Sequence, residues 1–450
     1  MVNPYSILDK VAQLKLDAAE LYLKEWRNTT LESKNRQVES IDVCRGSGIG
    51  LRLLKDRRLG FSFSTSLSEK SIDELIENAF ISSHSVDEDE WVDIPSKDST
   101  EFGVRSGEIE IYDEEIDKIS EEEMIKYALL LEESALTADK RIKKVRKAVA
   151  SFSVLYTTLL NTRGVDVSYK STIASASIMV VAESNSPRPD SQMAWEFDTQ
   201  RFVDKLDFKR VGADAASLAV ALLGAEKAPS GKVSVILSNK VAVEFLAVVA
   251  PALFADNVQR GKSLFEDKVR AQVAFHGLNL WDDGTITGNI GSAPVDDEGV
   301  PMRRKLLIED GILKGFLHNT YTAKKGGTAS TGNAVRGGIN GLPTVGITNF
   351  YIEKGKRTRY PLTADISNGI YITDTMGIHT ANPISGDFSV GVSGFWIKNG
   401  VIVHPVREAV FSGNIFDMLQ KINDIGDDLR FYGRIGSPSI SLSEMDISGQ

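Results

Sequence analysis

The chain has a single cysteine, Cys44, so an intrachain disulfide is excluded, and with it a small secreted scaffold held by bridges. A reducing, cytoplasmic setting is the expectation. Long apolar runs are missing too. The longest, Phe245 to Ala255, contains Pro251 and falls well short of the roughly 20 residues that cross a bilayer, so no membrane segment is expected. The first residues, Met1 to Lys10, show no basic region followed by an apolar stretch, and a secretory signal is not expected. Positive charge is in deficit, with 52 Lys and Arg against 62 Asp and Glu and a net charge of -10. Duplex nucleic acid is bound largely by clustered cations that neutralise phosphates, so this balance argues against a nucleic-acid partner. The densest basic stretch, Lys140 to Lys147, follows the acidic Glu121, Glu122 and Glu123 and reads as a solvated, compensated face. Histidine is scarce as well. His84, His276, His318, His379 and His404 stand far apart, and no helical turn can present a zinc-binding pair.

What is present fits an ordinary globular chain: 450 residues, 42% hydrophobic and 25% charged, enough for two or three domains with sizeable cores. An opening helix carries Ile7, Val11 and Leu14 on one face. Strand patterns come next at Ala19 to Trp26, Val38 to Cys44, Ile49 to Leu54 and Gly60 to Ser64, an antiparallel meander in which Gly46 to Gly50 reads as a turn or bulge. Ser68 is placed to cap a helix, and Ser120 with Glu123 forms a capping box ahead of Met124, Ala128 and Leu131. Strands at Ala148 to Leu160 and Val165 to Val181 flank the hairpin-like Asn161 to Gly164. A loop is expected at Glu183 to Ser191, and an amphipathic helix at roughly Asp204 to Leu223. The segment Lys227 to Gly231 is the best boundary. The fold class expected is therefore α+β, with residues 1–227 forming a mixed antiparallel sheet with helices and residues 228–450 a mostly antiparallel β domain rich in glycine turns.

Catalytic chemistry is hard to find. Gly391-Val392-Ser393-Gly394 and Gly386-Asp387-Phe388-Ser389 lack the Gly-x-Ser-x-Gly spacing of a nucleophile elbow. Cys44 lies in a strand pattern beside Arg45 with no histidine partner, the context of a structural thiol. The acidic pairs Asp282-Asp283, Asp296-Asp297-Glu298 and Asp427-Asp428 read as solvated turns or caps. A zinc site assembled from the scattered His276, His318 and His379 stands as the alternative for an independent hydrolase.

Several stretches carry a family likeness: Asp296 to Val300 followed by Glu309 to Leu313, Ser330-Thr331-Gly332-Asn333, Ser385 to Ser389 running into Gly391 to Gly400, and Met445 to Gln450. With Gly48 to Arg52 and Gly60-Phe61 in the first half, the chain resembles the TldD/PmbA family, historically named as modulators of DNA gyrase. In the TldD type, zinc is bound by His-Glu-x-x-x-His and a later cysteine. The run Asp256 to Phe265 is similar to the residues just after that motif, and the offset puts Leu246 at the first histidine, Ala247 at the glutamate and Pro251 at the second histidine. No cysteine comes after Cys44. The likeness is thus to the TldE/PmbA type. It implies no cofactor in this chain, zinc in a TldD-type partner, a heterodimer that cleaves unfolded peptides or processes peptide precursors, and a homodimer as one form of the isolated chain. Candidate chamber or interface residues are Arg260, Ser330, Thr331, Gly332, Asn333, Gly386, Asp387, Ser393, Gly394 and Trp396, with glycine-dependent turns of the core sheet as the competing reading. Sequence-tolerant substrates would be held through their main chain along a sheet edge. The family's historical name leaves gyrase binding as a further alternative.

Overall fold

Three stretches of alternating, half-apolar sequence near the N-terminus form one long antiparallel meander in the computed structural model, which describes residues 3–97, 109–184, 189–356 and 362–449. Helix α1 (Pro4–Ala12) leads into β1 (Ala18–Lys34), β2 (Gln37–Lys55) and β3 (Arg58–Ser64). The two connections, Asn35-Arg36 and Asp56-Arg57, hold both residues at positive φ. That is the mirror-image turn whose twist matches paired strands, here built without glycine.

The expected turn or bulge at Gly46 to Gly50 is absent. Trp26 pairs with Gly46 and Tyr22 with Gly50 in unbroken register, so the two expected strands are one, β2. The glycines make room for neighbours instead. A Cβ on Gly46 would strike the Trp26 ring, one on Gly48 would strike Ile339, and one on Gly50 would lie 2.7 Å from the Ile339 carbonyl. Cys44 sits in the same strand, exposed rather than packed as a structural thiol would be.

Helix α2 (Glu69–His84) starts at its Ser68 cap and, with α1, covers β1 to β3 through Ile7, Val11, Ile72 and Leu75. A short α3 (Glu114–Lys118) precedes α4 (Glu121–Ala138), where the Ser120 and Glu123 box is formed in both directions. Then come β4 (Ile142–Asn161), β5 (Asp166–Glu183), β6 (Ser191–Gln200) and α5 (Phe208–Ala221). The six strands run in the order β3-β2-β1-β4-β5-β6, all antiparallel, a half-barrel with α4 and α5 packed on β4 to β6. Of the loop expected at 183–191, residues 185–188 lie outside the described residues.

After residue 230 the chain builds strands of a second kind. Segment 231–237 lies between 440–449 and 368–376, strand 387–398 pairs with the latter, and 401–414 pairs back to 440–449. Five strands therefore close into a ring. Helix α6 (Asn239–Val249) packs on it, with Phe245 edge-on to Phe388 and Phe411 at 5.0 and 5.6 Å. A separate six-stranded sheet runs 312–313, 304–309, 280–283, 350–352, 435–437 and 430–432. Most pairings are antiparallel, with parallel ones at 231–237 with 368–376, at 350–352 with 435–437 and at 401–414 with 226–227.

Candidate functional site

The two halves meet over a buried ionic cluster. Arg52 of β2 donates to Glu20 of β1 (Nη2 to Oε2, 2.7 Å) and to Glu298 of the second half (3.0 Å). Arg336 pairs with Glu20 from the other side, and its guanidinium lies 4.6 Å from the Tyr22 ring centroid. The Tyr22 hydroxyl donates to Asp297 at 2.7 Å, and the Arg336 backbone N–H donates to the other Asp297 oxygen at 2.7 Å. Burial alone would lower the pKa of Arg52, but Glu20 and Glu298 override it and raise it. Arg336 goes the other way. Its burial outweighs Glu20, and Arg52 opposes its charge. Tyr22 is pushed up by burial and by Asp297.

The acidic pairs are thereby corrected from solvated turns to interior groups. Asp296 and Glu298 are 2% exposed, and Asp282 is wholly buried. Asp296 accepts the N–H groups of Glu298, Val300 and Ala334 at 2.9 Å, while burial and the neighbouring Glu298 push its carboxyl up to about 8. Asp282 accepts from Lys305 at 2.7 Å, from Asn333 at 2.9 Å, and from Thr348. These carboxylates shape turns and still become interior because each finds a full set of donors. Asp427 and Asp428 are exposed, as expected.

Ser238 caps α6, the helix that carries Leu246 and Ala247, two of the three positions expected to replace zinc-site residues. Leu246 is 3% exposed and packs in the apolar core, Ala247 faces out, and Pro251 is half-buried in the 3-10 turn that comes next. Hydrocarbon therefore fills the inward position, and none of the three has an atom that binds zinc or takes a proton. The polar groups of α6 point elsewhere. Lys240 donates to the Trp195 carbonyl at 2.9 Å, lies 3.5 Å from Asp374, and sits over the Trp195 ring. Thr375 donates to Glu244, whose carboxyl is pushed up by burial and by Asp374. Among the described residues no three His, Cys, Asp or Glu side chains gather at metal-binding spacing, and the side chains at 246, 247 and 251 do not fit a zinc ion. His276 is exposed beside Asp310, His379 is exposed, and His318 is half-buried and lowered by burial; the three scattered histidines do not gather into a metal-binding group.

The other candidates divide. Ser330 lines a cavity between the halves and donates to the His318 carbonyl. Thr331 bonds that same carbonyl and Asn333. Asn333 is fully buried on Asp282, and Gly332, at φ +72°, has no room for a Cβ against the Pro301 carbonyl. Gly386, at φ +82°, and Asp387 shape the exposed turn before strand 387–398, where Asn414 and Ser385 hold Asp387 below the usual carboxylate range. Gly394 lets the Tyr371 carbonyl approach, Trp396 is buried with its indole N–H on Asn368, Ser393 is half-buried in the same strand, and Arg260 is exposed. Gly332, Asn333, Gly394 and Trp396 are thus buried.

Sequence reasoning missed Glu20, Arg52 and Arg336. The signal for the first two was a lone charge inside an apolar strand, Leu51-Arg52-Leu53 and Ala19-Glu20-Leu21. It also missed β6, whose alternation is inverted: Glu196 and Asp198 point inward to Arg430 and Arg210, while Met193 is exposed.

Comparison with known proteins places the chain in a family. Three family domains match in order: the PmbA/TldA metallopeptidase domain 1 at residues 19–83, the central domain at 114–223 and the C-terminal domain at 230–449. An uncharacterised protein of Methanocaldococcus jannaschii is 30% identical over 93% of this chain and 94% of its own length. Metalloprotease PmbA of Escherichia coli O157:H7 is 28% identical over 98% and 94%. A solved candidate modulator of DNA gyrase from Thermotoga maritima superposes with a TM-score of 0.89 at 26% identity, covering 99% of both chains.

Proposed function

The chain belongs to the PmbA/TldD metallopeptidase family, and on that premise we propose that it is the zinc-free partner subunit of a TldD-type zinc peptidase in the cytoplasm. The observation that carries this reading is helix α6 and its end: Leu246 lies in the core, Ala247 faces out and Pro251 sits just past the helix, where the TldD pattern has two imidazoles and a carboxylate. The division of labour is simple. The partner holds zinc and does the hydrolysis, while this chain contributes shape and binding surface to a heterodimer. Unfolded peptides or peptide precursors are the substrate class. β6, at the end of its sheet, offers a main-chain edge for such a substrate, with the Trp195 carbonyl already held by Lys240.

The purified chain should carry no stoichiometric zinc and leave an unfolded peptide intact, and adding a TldD-type protein should restore cleavage. About one zinc per chain together with cleavage by the chain alone would overturn the reading. The name of the Thermotoga relative favours a second reading, a regulator that binds gyrase. It fails if the protein neither binds gyrase nor changes supercoiling at physiological salt.

A further inference from the structure

Between the two halves lies a cavity of about 410 Å³, a size in the range of small-ligand sites. Its floor is supplied by residues 93–96 and the β4–β5 turn of the first half, its roof by residues 300–303, helix 320–325 and residues 328–330 of the second. Among the described residues three cations line it, Arg163, Arg303 and Lys324, against one acid, Asp93. In a chain of net charge -10 this local excess of positive charge is unusual.

The single acid is already engaged. Arg163 lies 2.6 Å from one Asp93 oxygen and Lys324 3.4 Å from the other. Arg303 is different. Its Nε and Nη2 donate to the carbonyls of Thr331 and Ser330, which fixes the plane of the guanidinium, and among the described residues it pairs with no carboxylate. The Thr320 hydroxyl nearby is buried without a hydrogen-bond partner. Ile94, Pro95, Val300, Pro301 and Ala323 form an apolar wall, with Ser96, Thr328 and Ser330 at its polar margin.

We propose that this cavity receives the C-terminal carboxylate of a peptide, with Arg303 as its counter-ion and the apolar wall against the terminal side chain. A guanidinium held in place by two carbonyls is pre-organised to meet a planar carboxylate. The apolar wall decides between anions. Inorganic phosphate is hydrated on every side and gains nothing from Val300 or Pro301, whereas the last residue of a peptide carries hydrocarbon beside its charge. The choice of peptide as ligand rests on the proposed role as a peptidase subunit.

The test is calorimetric titration of the full chain, without a partner subunit, using the peptide Ala-Ala-Ala-Leu as the free acid and as the C-terminal amide. The acid should bind at least tenfold more tightly. Arg303→Gln should bring the acid down to the amide's affinity and leave the amide unchanged. Arg303→Lys keeps the charge and should retain most of the preference, and the acid-to-amide comparison needs no variant if Arg303→Gln fails to fold. Equal binding of acid and amide, or a preference untouched in Arg303→Gln, overturns the proposal. So does binding of inorganic phosphate with no binding of the acid. Because the readout is binding by the lone chain, its failure is distinct from failure of a mixed complex to cleave peptides.

Discussion

Replacing Arg52 with methionine removes the cation shared by Glu20 and Glu298 while keeping most of the side-chain volume. Arg336 still neutralises Glu20, but Glu298 is left buried with only the Thr320 backbone N–H at 2.8 Å. Breaking a buried pair from one side costs about 3–5 kcal/mol, because the remaining charge stays out of water. At about 3 kcal/mol per M of urea for a chain of this size, the unfolding midpoint should fall by roughly 1–1.7 M, read by tryptophan fluorescence. Lys10→Met is the matched control. Its partner Asp73 and Lys10 itself are about half exposed, so the midpoint should stay close to that of the unmodified chain. The double variant Arg52→Met with Glu298→Gln removes the stranded charge and keeps the acceptor for Thr320. It should be more stable than the sum of the single losses by about 0.5–3 kcal/mol. A midpoint for Arg52→Met no lower than that of the Lys10 control, or strict additivity in the double variant, would refute the account of the seam.

Three further outcomes are expected. Gly394→Ala drives a Cβ into the Tyr371 carbonyl and should cost about 1–3 kcal/mol in thermal unfolding, whereas Gly315→Ala, with open space around it, should be neutral or mildly stabilising. Leu246→Ala should cost about 2–5 kcal/mol and Ala247→Ser almost nothing; equal effects would show that Leu246 is not packed as described. Burial would push Asp93 up, but its hydrogen bonds to Arg163 and the Ile94 N–H, with Lys324 nearby, hold it below its usual range. A depressed carboxylate stabilises the folded state above its unfolded value of about 3.9 and loses that contribution as pH falls through the lower folded value. Asp93→Asn should therefore flatten the acid limb of the stability curve, and an unchanged limb would count against the pairing.

Features decided by neighbours in sequence were legible. The caps at Ser68 and Ser120 and the Asn161 to Gly164 turn all arise from contacts within a few residues. Gly46 to Gly50 mislead because the reason for those glycines lies in Trp26 on the next strand and in Ile339 far along the chain. The acids at 282 and 296–298 read as solvated turns because local sequence does not reveal which donors, such as Lys305 or Asn333, will surround them. β6 is unreadable for a related reason: its inward positions are charged, and only the arginines of other segments make that tolerable. At the candidate site Leu246, Ala247 and Pro251 draw attention only when set against a family pattern, and no periodicity marks Arg303 as a cation that pairs with no acid among the described residues.

The ring of strands in the second half has a bearing on how the molecule is made. Strand 231–237 needs 440–449 as a neighbour, and 401–414 needs it on its far side. During vectorial synthesis the earlier strands wait with open edges until that last staple emerges from the ribosome, while β1 to β6 of the half-barrel already have their strand neighbours. Nascent chains halted before residue 440 should thus recruit holdase chaperones through the unfinished ring rather than through the N-terminal half.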